Sequence, residues 1–198
     1  MLYARYFWFS RQPPYSLTNY RFIVAKGDKF SKKASLYLRN FIRLIDKSIA
    51  EYLKARDAIL LQIEEKKRTA EEMREKGRFI YILSFVNHAE NCINATRRLL
   101  YLLDGLKTER VSPPIPEIPG KLIKAHRDII TNVRGTVEHL DRIIQKDKHL
   151  EGEAIMLSIS KDQKSMIISN HNLRFCDLAS VIRNFYDIGK YLIEAYKT

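Results

Sequence analysis

Two side chains able to move a proton and to hold a phosphoryl oxygen stand in one short run, Arg134-Gly135-Thr136-Val137-Glu138-His139. An unperturbed imidazole titrates near neutrality, so His139 can take or give a proton. A guanidinium is a planar fork that matches phosphate oxygens, so Arg134 can neutralise a developing anion. Five positions along an α-helix turn about 140°, so the two groups do not share a face. They converge only on a substrate or a second subunit lying across the helix. Arg142 and His149 repeat the pattern with six residues between them.

A second feature is electrostatic. If residues 31 onward form a helix, Lys32, Arg39, Arg43, Lys47 and Lys54 fall within an arc of about 80° beside an apolar stripe. Such a row can follow a phosphate backbone, or it can be a solvated flank. Nine aromatics among residues 1–30 are interleaved with Arg5, Arg11, Arg21, Lys26 and Lys29, a composition suited to stacking unpaired bases or to packing on a helical body.

Other constellations carry less. His88 and Cys92 have the spacing of one face of a zinc site, but two ligands are insufficient, and only Cys176 and scattered histidines remain to complete it. No metal or cofactor is expected. No Glu-x-x-His pair, glycine-rich phosphate loop or nucleophile elbow occurs, which excludes the corresponding enzyme classes at motif level. Glu90 and Arg97 point by phase towards the apolar side of their helix, where a structural network near Asn94 is expected, and His126 reads as a core histidine. Asn94-Ala-Thr96 matches a glycosylation sequon in mid-helix and is set aside.

The elements that must position these groups follow from periodicity. Residues 1–30, interrupted by Pro13-Pro14, predict an extended arm or short strands. From Ser31 the apolar spacing becomes three and four, predicting a helix to about Lys76 with Leu38, Phe41, Ile42, Ile45, Ile49, Tyr52, Leu53, Leu60 and Ile63 inward. Gly77 predicts a break. A second helix is expected from Phe79 to about Leu106, pairing with the first as an antiparallel hairpin, with Phe79, Leu83, Val86, Ile93, Leu100 and Leu103 on its inner face. The prolines of residues 112–120 predict a stiff connector. A third helix is expected over Lys121–Lys148 with His126, Ile130, Val133, Val137, Leu140 and Ile144 as its seam, a β-hairpin over 154–169, and a last helix capped by Asn172 and running to about Tyr196. The predicted fold is thus mainly α: a four-helix bundle over 31–198, with a short β-hairpin before the last helix and an aromatic-rich N-terminal arm.

Composition bounds the class. The 198 residues suit one domain with attachments. A net charge of +12 favours an acidic partner, with 17 Lys and Arg against 9 Asp and Glu in residues 1–77 and 18 against 14 in the remainder. Two cysteines make no disulfide framework, and no apolar run approaches the roughly 18 residues of a membrane span. A cytoplasmic setting is expected.

A four-helix body with Arg134 and His139 on its third helix, in a basic chain, resembles the HEPN superfamily of small helical nucleotide- and RNA-binding domains. The resemblance covers about Ser31 to Tyr196 as architecture and Arg134 with His139 as motif. It implies a homodimer in which motifs from two protomers meet and cleave RNA without a metal, as in toxin or defence systems. His139 would then handle the proton of the attacking 2′-hydroxyl or leaving oxygen, and Arg134 the phosphorane charge. Gly135 stands where family members often carry Asn, Asp or His. Two alternatives stay open: a non-enzymatic protein-interaction module using the charged run Glu64–Lys76 and the apolar arm, and a basic arm resting on anionic lipid.

Overall fold

The computed structural model describes residues 17, 31–109, 114–146 and 154–197. The expected aromatic arm, Leu17 apart, lies outside them. In chain order the elements are α1 (Lys32–Glu65), α2 (Ala70–Lys76), α3 (Ile82–Thr108), α4 (Glu117–Ala125), α5 (Arg127–Gln145), β1 (Ala154–Ile159), β2 (Ser165–Ser169), β3 (His171–Arg174) and α6 (Phe175–Lys197). The protein is mainly helical, with a three-stranded antiparallel sheet immediately before the last helix.

Ser31 starts α1 by accepting the Ala34 N–H at 3.0 Å. The expected helix to Lys76 is instead broken after Glu65, because Thr69 and Glu72 form a reciprocal capping box that starts α2 afresh. Gly77, with φ of 74°, ends α2 in the left-handed region. The chain returns to α3 under control of α1 side chains. Glu65 accepts the Phe79 N–H at 3.1 Å, and Gln62 Oε1 accepts those of Tyr81 and Ile82 at 2.9 and 3.1 Å. These two α1 residues satisfy donors that the start of α3 lacks partners for. Phe79 therefore sits outside the helix and is exposed, as is Leu83, and neither joins the inner face predicted for them.

α1 and α3 pack antiparallel. Gln62 meets Tyr81 at one end, while Lys33 meets Glu109 at 2.7 Å at the other. Buried Ser48 and Thr96 return their hydroxyls to their own helix, donating to the carbonyls of Ile45 and Cys92 at 2.8 Å each.

The connector predicted over 112–120 gives way to helix from Glu117. Pro119 lies in the first turn of α4, where its missing N–H has no intrahelical partner to lose. The expected third helix is split at His126, whose backbone (φ −107°, ψ 6°) leaves the helical region. His126 is half-buried at this bend and is not a seam residue. Arg127 holds the bend against α3 through an ion pair with Asp104. Beyond it Ile130 and Val133 are fully buried, whereas Ile144 at the far end is exposed.

β1 and β2 form the expected hairpin, and β3 extends it, in the order β1-β2-β3. Asn172 does not cap a helix: it pairs with Ile167 in the sheet, and α6 begins at Phe175. The alternation around Leu173, buried between exposed Asn172 and Arg174, is a period of two that hands over to helix only at Phe175. Phe175 and Phe185 then place edge-on rings against Phe85 and Phe41 at 6.1 and 5.8 Å. Tyr52 ties the same junction by donating to the Phe175 carbonyl at 3.2 Å.

Two glycines differ sharply in what surrounds them. A Cβ on Gly189 of α6 would stand 2.8 Å from the Cδ1 atoms of both Ile45 and Leu17, whereas one on Gly135 of α5 would meet nothing within 4 Å. Overpacking costs about 1–3 kcal/mol, and replacing a mid-helix glycine by alanine gains about 0.5–1 kcal/mol. Thermal melts should therefore show Gly189→Ala below wild type and Gly135→Ala above it; equal shifts in one direction would contradict this packing. Glu65, 5% exposed, has its carboxyl held below the ordinary range, first by the Arg68 hydrogen bond, against burial and with help from the Phe79 N–H. A depressed folded pKa means that the stabilisation is whole above the unfolded value of about 4.3 and is lost as pH falls through the folded one. Melting temperature should drop more steeply on acidification in wild type than in Glu65→Gln, and parallel curves for the two proteins would refute the assignment.

Candidate nucleic-acid interface

α5 carries Arg134 on the side that meets α3, and α3 brings Arg97, Arg98 and Tyr101 to the same place. With Leu36, Tyr37 and Asn40 of α1 they line an open groove of about 540 Å³. Tyr101 is 66% exposed on its wall. Arg134 forms an i, i+4 ion pair with Glu138, so an incoming anion competes with a carboxylate for the guanidinium. Lys33, above the Tyr37 ring at 5.6 Å, is held by Glu109.

His139 is exposed and is not part of the groove. The helical turn of about 140° separates it from Arg134, as the spacing predicts. Within one chain the two motif residues do not converge. Arg142 is exposed as well, and its partner in the second match, His149, lies outside the described residues.

The five cations predicted on α1 are all exposed: Lys32, Arg39, Arg43, Lys47 and Lys54. Lys54 is drawn to Glu51 at 3.5 Å. By helical phase Leu36 and Asn40 fall within or at the edge of the same arc, so the cationic row runs directly into the groove wall. Sequence reasoning found the row and Arg134 but missed Arg98 and Tyr101. The signal was present as Arg97-Arg98 with Tyr101 one turn later, a cationic and aromatic cluster on a helix surface.

The zinc spacing resolves differently. His88 Nδ1 meets Glu51 Oε2 at 2.8 Å, and Cys92 Sγ donates to the Ser48 carbonyl at 3.4 Å. Burial pushes Glu51 up, but His88 and Lys54 together bring its carboxyl below the ordinary range. Among the described residues no group of three or more His, Cys, Asp or Glu side chains is placed to hold a metal ion. Glu90, expected in a network with Arg97, is joined to neither Arg97 nor Asn94 among the described residues, and burial raises its carboxyl pKa. Arg97 faces the groove.

No helix among the described residues is long and apolar enough to cross a membrane. No protein family model, curated protein or solved structure matches the chain.

The two thiols should differ in reactivity. Burial pushes the Cys92 thiol up to about 12, while Cys176 is only half-buried. A thiol-reactive dye at pH 8 should label one site in the native protein, mapped to Cys176, and the second only in denaturant. Simultaneous labelling of both in the native state would contradict the enclosure of Cys92.

Proposed function

We propose that this chain is an RNA-binding helical protein that holds a phosphodiester backbone in the groove of Arg97, Arg98 and Arg134. The observation that carries the reading is the meeting of a motif arginine with two further arginines and two tyrosines at the end of an exposed cationic row. Arginines supply the phosphate contacts and tyrosines offer faces on which unpaired bases stack, a combination suited to single strands.

The HEPN resemblance extends this reading to metal-independent cleavage. Because Arg134 and His139 point apart, the reactive pair would be assembled from two copies of the chain, one giving the groove and the other its His139. The histidine would handle the proton of the 2′-hydroxyl or the leaving oxygen, and Arg134 would stabilise the phosphorane charge. Glu138 acts as a gate in this scheme, since Arg134 must leave it to meet phosphate.

The test is binding of fluorescent single-stranded RNA in EDTA over a range of salt, with cleavage followed on gels and mass by light scattering. Arg98→Ala and Arg134→Ala should each weaken binding and reduce the slope of log K against log salt by about one, and Glu138→Ala should strengthen binding. His139→Ala should leave binding intact and remove cleavage. Unchanged affinity in both arginine variants would overturn the interface, whereas binding without cleavage by wild type would leave an RNA-binding protein without nuclease activity.

A further inference from the structure

The far end of the α1 and α3 pair carries a second groove of about 610 Å³, between Ile59, Gln62 and Ile63 of α1, the non-helical residues Arg78–Ile80, and Ser158, Ile159 and Ser160 at the end of β1. Along α1 it lies about 35 Å from the arginine groove, at 1.5 Å per residue. Consecutive residues of a strand face opposite sides of the sheet. Ser158 and Ile159 close β1, and Ser160, Lys161 and Gln163 belong to the turn that follows, so the groove lies against the turn end of this strand. Among the described residues the outer edge of β1 is free of strand pairing, since β1 is the outer strand of the order β1-β2-β3. The opposite wall is the non-helical run before α3, and its Phe79 and Tyr81 N–H groups are already bonded to Glu65 and Gln62.

The chemistry of the lining specifies an occupant. Its floor is apolar, and Phe79 and Ile80 stand 51% and 63% exposed at its mouth. Lys66, Arg78 and Lys161 supply the charge of the lining, which contains no carboxylate. None of the three forms an ion pair with another described residue. Gln163, whose backbone is left-handed at φ 60°, is among the lining residues, and its buried Oε1 meets no hydrogen-bond donor among the described residues.

We propose that this slot binds an extended peptide segment of a partner protein, in which acidic residues alternate with apolar ones. The segment adds a strand to the β1 edge. Its apolar side chains enter the floor of Ile59, Ile63 and Ile159, and its acids meet Lys66, Arg78 and Lys161. This site is independent of RNA binding.

The probe is a fluorescent nine-residue peptide alternating glutamate with valine, titrated against the full chain by anisotropy. Saturable binding is expected, weakened about tenfold or more by Ile80→Asp and by the double reversal Arg78→Glu with Lys161→Glu, all surface positions whose variants are checked for native circular dichroism. Alternate N-methylation, which removes the donors of one peptide edge, should abolish binding, and Arg98→Glu at the distant groove should leave it unchanged. No saturable binding, equal binding of the N-methylated peptide or of a lysine-valine peptide, or indifference to Ile80→Asp would each overturn the proposal. Loss in Arg98→Glu alone would do so as well, because it would place the peptide in the other groove.

Discussion

The antiparallel packing of α1 on α3 is the constraint from which the rest of the molecule hangs. Its seam buries Phe41, Ile45, Ile49, Phe85, Cys92 and Leu99, and the same pairing decides what lies at each end. Where the start of α1 meets the end of α3, two helix surfaces converge on α5 and concentrate guanidinium groups. Where the end of α1 meets the start of α3, Glu65 and Gln62 pin a non-helical segment beside the sheet. One seam thus produces two grooves of different character: a helical, cationic one, and a slot with backbone on both walls. The lever is geometric, since 34 residues of helix hold the two ends apart.

Much of this was legible in the sequence, and the failures have particular causes. The apolar rows of α1 and α6 announced themselves because each buries one stripe against a large core, Leu60 apart, which is exposed; on α5 the predicted seam is fully buried only at Ile130 and Val133. Helix ends were harder. The break after Glu65 depends on a capping box, Thr69 with Glu72, buried in a run of charge that reads equally well as continuous helix. The bend at His126 has no glycine or proline to mark it and is held by a tertiary ion pair between Arg127 and Asp104. β3 escaped notice because four residues are too short for periodicity to outweigh the helical pattern that follows them.

The candidate sites divide along the same line. Exposed cations on one helix could be placed by phase alone, so the α1 row was found. The arginine groove requires knowing which faces of three helices meet, and its α3 contributors are separated from Arg134 by more than thirty residues. The Glu138 partner of Arg134 was in plain view at i, i+4, yet its meaning depends on the groove: the carboxylate sets how strongly an anion must compete for the guanidinium. The second groove was the least legible, because an edge strand and a short non-helical connector have no side-chain signature of their own.

Leu17 gives the architecture a property of a different kind. It is fully buried against Ile45 at the point where Gly189 leaves room for it, and its N–H donates to Asp46 at 3.0 Å. A residue from far ahead of α1 in the chain is therefore a structural member of the helical core. Trimming the protein to its helices would leave a leucine-sized void and remove one hydrogen bond from the Asp46 carboxylate beside the row of cations on α1. The helical core at this position includes a residue from outside its helices, and a version excised without Leu17 begins life with a hole beside Ile45.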